Sequence, residues 1–292
     1  MNAQINRLHT DVLFLTELRP YRNFRNTDSL EKASGYITEE FKRAGLITGE
    51  QKWTARGNEY KNIIASFNPG KKRRLIVGAH YDVDGYQQGA DDNASAVAGL
   101  LETARLITEN NPDLDYGIDF VAYCLEELPF FNTKEMGSFI HAQSLFVNKT
   151  DVIGMICYEM IGYFSDKPQS QRFPSPELAE KYPTTGNFII IAGIDEHEDF
   201  NELVFRLMSD DSKIDVQAIS FPDSGSPYAG MSDQMNYWKF GYKALMINDT
   251  SMFRNINYHQ KTDTPDTLNF EKMTEVINSS YKAVTGMDRS DY

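Results

Sequence analysis

A chain of 292 residues with 41% hydrophobic and 24% charged residues is typical of a soluble globular protein, and it is long enough to bury a full core. Its formal net charge of −13, with one short basic run at residues 71–74, argues against a nucleic-acid partner. No stretch approaches the ~20 consecutive apolar residues that cross a bilayer, which argues against a membrane partner.

Residues 1–45 read as two helices. The first has only short apolar patches, broken by Asp11 and Glu17, which is typical of an amphipathic helix and not of a signal peptide. The second, residues 29–44, places apolar and aromatic side chains at helical spacing, and Gly45 follows as a stop signal. We predict that both helices pack on the core of the protein.

The two cysteines, Cys124 and Cys157, both lie in apolar, strand-like segments. Such positions are typical of buried free thiols, which persist in a reducing compartment. A disulfide between them is geometrically feasible only if their strands are neighbours. The cysteines therefore favour a cytoplasmic location.

From residue 51 onward, strand signals and helix signals alternate. Residues 51–55 and 62–67 flank the turn signal Gly57-Asn58 and predict a hairpin at the edge of a sheet. The later strands are nearly all apolar and are separated by helices, which predicts an α/β fold with a mostly parallel sheet covered on both faces. These strands are predicted at 74–79, about 117–125, about 151–158, 187–191, about 214–221 and 244–248, and the helices at about 93–109, 136–146, 199–210 and 269–285.

No internal repeat, low-complexity tract or interior linker interrupts this alternation. We therefore expect a single domain over residues 1–292. One connection, residues 164–186, is rich in Pro, Ser and Gln and is too long for an ordinary loop, so we expect it to overhang a functional site. A second long loop, residues 221–232, is rich in Gly, Pro and Ser.

The strongest chemical signal follows the predicted strand at 74–79. The strand opens into a loop with five candidate ligands or acid–base groups: His80, Asp82, Asp84, Asp91 and Asp92. A lone histidine at a strand end is more often structural, but a carboxylate two residues later is placed to accept its second ring N–H, as in many metal sites. Asp92 would be an ordinary helix N-cap, yet Asp91 or Asn93 can cap equally well, which leaves one carboxylate for metal. The loop predicts a metal site.

Three later segments carry further candidates. Glu126 and Glu127 follow an apolar strand, where they are either an ordinary exposed pair or, if the chain kinks, a metal ligand beside a proton acceptor. Glu159 ends another buried strand, where an unpaired carboxylate is costly unless it meets a cation. His259, preceded by Tyr258, lies in a loop with no other signal.

The ordered series HxD, GADDN, EE, a strand-ending Glu and a late YH resembles the M28 family of zinc metallopeptidases, which includes co-catalytic aminopeptidases and glutaminyl cyclases. The resemblance covers about residues 60–275. It implies a three-layer α/β/α fold of the zinc-exopeptidase type, with a mostly parallel, mixed central sheet. It also implies two zinc ions.

The resemblance assigns a role to each matching residue. Five match metal ligands: His80, Asp92, Glu127, Glu159 and His259. Three match other catalytic roles: Glu126 as general base, Asp82 as the partner that orients His80, and Tyr258 as a stabiliser of the oxyanion. In this assignment Asp92 bridges the ions, His80 and Glu159 complete one of them, and Glu127 and His259 complete the other.

Three features depart from the family pattern. Glu159 stands where many members have aspartate, and Gln234 stands where many have histidine. The segment at 128–138, between Glu127 and the next helix, is longer than in typical aminopeptidases. We therefore expect a pocket of different shape.

The resemblance favours a metal-dependent exopeptidase that acts on a peptide or another N-terminal aminoacyl substrate, with a zinc-activated water and Glu126 as base. Five aromatic residues in the long loops are candidates either for a side-chain pocket or for plain packing: Phe173, Tyr182, Phe221, Tyr228 and Phe253. Two alternatives stay open. One is a glutaminyl-cyclase-like enzyme with a single zinc held by Asp92, Glu127 and His259, and the other is a non-catalytic binding protein on the same fold.

Overall fold

Eight strands form one mixed sheet in the computed structural model, which describes residues 1–287. The strands are β1 (Ile47–Ala55), β2 (Asn58–Phe67), β3 (Arg73–His80), β4 (Gly117–Tyr123), β5 (Asp151–Glu159), β6 (Phe188–Ile194), β7 (Asp215–Phe221) and β8 (Ala244–Asn248). Their order across the sheet is β1-β2-β4-β3-β5-β8-β6-β7. The four central strands β4, β3, β5 and β8 are parallel, whereas β1, β2 and β4 pair antiparallel, as do β8 and β6. The predicted α/β fold with a mostly parallel, mixed sheet is confirmed.

Eight α-helices accompany the sheet within residues 1–287: α1 (Ile5–Glu17), α2 (Thr27–Arg43), α3 (Ala96–Asn110), α4 (Gly137–Val147), α5 (Pro176–Lys181), α6 (Glu198–Ser209), α7 (Gln234–Trp238) and α8 (Phe270–Thr285). The six longer helices lie where the sequence predicts them. The short helices α5 and α7, of 6 and 5 residues, are not predicted, because two turns or fewer leave no periodicity to read. The long connection at 164–186 therefore contains one short helix, α5, which begins at Pro176.

Alternating side chains of the central strands pack on opposite faces of the sheet. In β3, Leu75 and Val77 join a core cluster with residues of α1, α2, α3, α6 and α8, whereas Ile76 joins a second cluster with residues of α4 and α7. Helices therefore cover both faces, and the predicted three layers are present.

The carboxyl ends of the parallel strands meet at one edge of this sheet. β3 ends at His80 and β5 at Glu159, while Glu126 follows the end of β4 and the loop with His259 follows β8. Because these four strands are neighbours and run in the same direction, their terminal residues and following loops are brought together.

The N-terminal helices contribute to the larger core cluster through Leu8 and Val12 of α1 and Ile37 of α2. The single domain over residues 1–292 stays a prediction, since residues 288–292 lie outside the described part. Cys124 and Cys157 are buried and free. No helix within residues 1–287 combines the length and the apolar character that crossing a bilayer requires. The cytoplasmic location stays a prediction.

A buried ion network joins the first three helices. Nη1 of Arg105 in α3 donates to Oδ2 of Asp11 in α1 at 2.6 Å, and Nη2 donates to Oε2 of Glu40 in α2 at 2.7 Å. Asp11 is only 1% exposed, and burial raises its pKa although Arg105 opposes the shift. The guanidinium therefore compensates a carboxylate that has left water.

We expect Arg105→Ala to lower the free energy of unfolding by about 3 kcal/mol, because it leaves a buried carboxylate without its cation. Urea denaturation measures the change. The matched control is Lys42→Ala, which removes an exposed pair with Glu39 and should cost less than about 1 kcal/mol. Equal losses in the two variants would contradict a stabilising role for the network.

Candidate metal centre

His80, the last residue of β3, is surrounded by carboxylates. Its Nε2 atom lies 3.3 Å from Oε2 of Glu159, 3.5 Å from Oδ1 of Asp92 and 3.8 Å from Oε2 of Glu126. The His80 side chain is 1% exposed. Burial alone would lower the pKa of His80, but Glu159 and Glu126 outweigh that effect and raise it well above its usual value.

His259 approaches the same aspartate from the other side. Its Nε2 atom lies 3.0 Å from Oδ2 of Asp92 and 3.5 Å from Oε2 of Glu127, and its Nδ1 atom lies 3.7 Å from Oδ2 of Asp84. The two oxygens of Asp92 therefore face one imidazole each. Although burial opposes ionisation, His259 and His80 hold the pKa of Asp92 below its usual value.

An irregular turn at Ala90–Ser95 presents Asp92. The backbone of Asp92 is not helical (φ −103°, ψ 90°), and α3 begins only at Ala96 without a side-chain cap. The expectation of an aspartate or asparagine capping this helix is therefore wrong. The carboxylate of Asp263 instead accepts the backbone N–H groups of Asp91 and Asp92, at 2.9 and 3.1 Å.

Asp82 holds the main chain that carries the two glutamates. Its oxygens accept the backbone N–H groups of Glu126 and Glu127, each at 3.2 Å, in a turn where Leu125 has a φ of +65°. The expected hydrogen bond to His80 is not formed, because Asp82 Oδ1 lies 3.6 Å from Nδ1 and faces these amides. Asp82 therefore positions the kink that the sequence predicts after β4.

A buried arginine braces the loop between His80 and Asp92. The guanidinium of Arg22 donates to the carbonyl oxygens of Tyr81, Gln88 and Gly89, at 2.9, 2.5 and 2.6 Å. Burial lowers the pKa of Arg22 to about 10, and nearby carboxylates including Asp263 and Asp92 limit the shift. The cation is positioned by the backbone and does not contact a candidate ligand directly.

Glu159 is held by two polar neighbours. Ser232 Oγ donates to its Oε2 at 2.6 Å, and Asn93 Nδ2 donates to the same oxygen at 3.2 Å. Sequence reasoning missed Asp263, Arg22, Ser232 and Asn93 as parts of the site. Their partners are distant along the chain, so no local spacing in the sequence marks these four residues. The one sequence signal is that Asn93 is a polar residue directly beside the candidate ligand Asp92.

Burial and neighbouring carboxylates disfavour the ionised forms of Glu126 and Glu127. Burial raises the pKa of Glu126 well above its usual range, with Glu159 adding to the effect although His80 opposes it. Burial, Asp92 and Glu126 likewise raise the pKa of Glu127. Full ionisation of this cluster therefore requires additional positive charge.

A divalent cation fits this need. Three groups within residues 1–287 can each surround one ion with atoms within 4.8 Å of one another: His80, Asp92 and Glu159; Asp92, Glu127 and His259; and His80, Glu126 and Glu127. The first two match the predicted ligand sets. His80 Nδ1 and Glu127 Oε1 are buried without a hydrogen-bond partner among residues 1–287. Imidazole and carboxylate donors of this kind suit zinc. The structure thus brings all five predicted ligands together, while their roles as ligands stay predictions.

Tyr258 and Glu126 share a cavity of about 510 Å³ with the candidate ligands Asp92, Glu127, Glu159 and His259. The Tyr258 ring stacks on the ring of His259 with 3.9 Å between centroids. Burial, Asp92 and Glu127 raise the pKa of Tyr258 above its usual value, so its hydroxyl stays protonated. We call this space the acidic cavity.

A second, apolar cavity of about 710 Å³ adjoins it, and Met231 lines both. The five aromatic candidates from the sequence all line this apolar cavity: Phe173, Tyr182, Phe221, Tyr228 and Phe253. The loops therefore form a side-chain-sized space beside the candidate metal ligands.

The chain is similar to known metallopeptidases and glutaminyl cyclases in sequence or in fold. The model of peptidase family M28 matches residues 62–284. The Escherichia coli (strain K12) uncharacterized protein YfbL is 39% identical over 287 residues, which are 95% of this chain and 86% of the relative. The Legionella pneumophila LapA aminopeptidase has a TM-score of 0.76 at 19% identity, covering 98% of this chain and 71% of its own. A Bacteroides thetaiotaomicron glutaminyl cyclase bound to N-acetylhistamine has a TM-score of 0.73 at 19% identity, covering 98% of both chains.

We expect zinc to raise the free energy of unfolding of metal-stripped protein, by about 2.7 kcal/mol when free zinc is 100 times its Kd. Asp92→Asn should lose most of this stabilisation, because Asp92 belongs to both groups that match the predicted ligand sets. Thermal or urea unfolding with and without zinc tests this. The control is Asp113→Asn at an exposed position, which should respond like the wild type. A full zinc response in Asp92→Asn would contradict its place in the site.

Proposed function

The chain belongs to peptidase family M28, and from that premise we propose that it is a zinc-dependent exopeptidase that removes N-terminal residues from peptides. The position of Asp92 carries the proposal. Its two oxygens face the imidazoles of His80 and His259, at 3.5 and 3.0 Å, which suits a carboxylate shared between two ions.

In this proposal two zinc ions are held, one by His80, Asp92 and Glu159 and the other by Asp92, Glu127 and His259. When bound, zinc supplies a water of lowered pKa and polarises the substrate carbonyl. The positive charge also relieves the repulsion that raises the pKa values of Glu126 and Glu127.

Glu126 is the general base. It lines the acidic cavity and lies outside the two proposed ligand sets. Its carboxylate accepts the proton of the attacking water and then delivers that proton to the departing amine, so the peptide bond breaks without releasing an amide anion. Asp82 fixes Glu126 for this task through the backbone N–H group.

Tyr258 and the substrate ammonium complete the chemistry. The protonated phenol of Tyr258 donates a hydrogen bond to the oxyanion that forms when the carbonyl is attacked. The net charge of −13 on the chain attracts the free α-ammonium of a peptide, which favours binding through the N-terminus.

The apolar cavity favours a large apolar side chain at the N-terminal residue. It also bears on the glutaminyl cyclase alternative, because a glutamine side chain would leave its amide group poorly hydrogen-bonded against this mainly apolar lining. We therefore favour the exopeptidase. The number of bound zinc ions and the reaction catalysed distinguish the exopeptidase from the glutaminyl cyclase.

We expect Glu126→Gln to retain about two zinc ions per chain and to lower kcat for leucyl-p-nitroanilide by roughly 10²- to 10⁴-fold, because the base is lost while the proposed ligands remain. Elemental analysis and steady-state kinetics measure both quantities. The control, Glu180→Gln at an exposed position, should keep full activity.

One zinc ion per wild-type chain, with no aminoacyl hydrolysis and with cyclisation of N-terminal glutaminyl peptides, would establish the cyclase instead. A wild-type protein that binds no zinc after repletion would remove the basis of both reactions.

We also expect the zinc-loaded protein to hydrolyse leucyl and phenylalanyl substrates with a kcat/KM at least tenfold above that for alanyl substrates, since each buried methylene adds binding energy in an apolar pocket. A series of aminoacyl-p-nitroanilides checks the order. Equal values across the series would show that the apolar cavity does not receive the side chain.

A further inference from the structure

We propose that a groove beside the acidic cavity binds a carboxylate on the portion of the peptide that is released by cleavage. The groove encloses about 720 Å³ including the open solvent at its mouth, and its lining includes Arg25, Arg56, Asp84, Tyr86, Leu128 and Pro129. We call it the arginine groove. The inference rests on the proposed function, because it concerns the leaving side of that reaction.

The arginine groove is continuous with the candidate catalytic residues. Leu128 directly follows Glu127 and lines both the groove and the acidic cavity. Asp84 lines the groove, and its Oδ2 atom lies 3.7 Å from Nδ1 of His259. The apolar cavity adjoins the acidic cavity through a different residue, Met231. With the N-terminal side chain in the apolar cavity, the arginine groove is free for the residues beyond the cleaved bond.

Charge favours an anionic occupant. Arg25 and Arg56 are exposed in a chain whose net charge is −13, and within residues 1–287 neither guanidinium forms an ion pair. Asp84 is the one acidic residue lining the groove, and the His259 imidazole lies beside it. Two guanidinium groups without an ion-pair partner among residues 1–287 complement the anionic end of a bound peptide.

Aromatic packing positions Arg56 in the groove. Arg56 lies in the tight turn between β1 and β2 with a φ of +48°. Its guanidinium lies over the Phe130 ring, 4.6 Å from the centroid, and Nη2 lies 3.4 Å from the carbonyl oxygen of Pro129. The Phe130 ring also contacts the Phe24 ring, at 5.4 Å between centroids, and this ties the hairpin to the segment that carries Arg25.

Both arginines precede residue 62, where the match to the family model begins. The other wall comes from Leu128 and Pro129, in the long segment at 128–138 that departs from the family pattern. The two arginines therefore come from a part of the chain outside the family match, whereas Asp84, Leu128 and Pro129 lie inside it.

The test compares kcat/KM for leucylglycine and leucylglycinamide, which differ only in the C-terminal charge. A second pair, leucyl-aspartamide and leucyl-asparaginamide, places the charge on a side chain and so separates the two sources of a carboxylate. Exposed ion pairs contribute up to about fivefold each. We expect the zinc-loaded wild type to prefer the anionic member of at least one pair by about fivefold or more, mainly through KM.

In the double variant Arg25→Gln, Arg56→Gln this preference should fall towards one. The ratio is insensitive to partial misfolding, because misfolding lowers both rates equally. Lys134→Gln is the matched control, since it removes an exposed positive charge from the same long segment outside the groove. It should keep the wild-type ratio.

Three outcomes would overturn the inference: no preference in the wild type, an unchanged preference in the double variant, or an equal fall in Lys134→Gln. In each case, cleavage of the neutral substrates would still support the proposed function. If the zinc-loaded wild type cleaves none of the four substrates, the proposed function fails and the inference falls with it.

Discussion

Carboxylates that share a buried space repel one another, and this constraint governs the architecture around the candidate metal centre. Asp92, Glu126, Glu127 and Glu159 line one cavity, and burial raises the pKa of each of the three glutamates. Such a cluster opposes folding unless rigid surroundings hold its members in place and cations compensate them. The sheet edge supplies the first requirement, because parallel neighbours deliver His80 and Glu159 to the same place.

Three of the surrounding polar residues act on the main chain and not on the candidate ligand oxygens, whereas Ser232 and Asn93 donate to Oε2 of Glu159. Asp82 and Asp263 accept backbone N–H groups of ligand-bearing segments, and Arg22 donates to the carbonyl groups of the loop before Asp92. A side chain that holds the backbone fixes the direction of a ligand without occupying its lone pairs. This arrangement preserves donor atoms for metal while it restricts their movement.

The sequence predicted features that depend on local pattern. Apolar strands alternating with helices gave the layers, and residues such as His80 and Glu159 were recognisable because each ends a buried strand. His259 had no local signal and was found through the family resemblance alone. The contact between Asp263 and Asp91 spans 172 residues, and no spacing rule reaches so far. The bond expected between Asp82 and His80 is not formed in this structure, where Asp82 Oδ1 lies 3.6 Å from Nδ1 and accepts the backbone N–H group of Glu126. The assigned roles of the site residues stay predictions.

The dependence of the Asp92 turn on Asp263 has a consequence for the order of events during synthesis. The chain leaves the ribosome from its N-terminus, so Arg22, His80 and Asp92 emerge long before Asp263 and His259. Until that late segment is released, the amides of Asp91 and Asp92 lack their acceptor and Asp92 lacks its second imidazole. A nascent chain therefore carries an incomplete candidate centre until the segment with His259 and Asp263 has emerged.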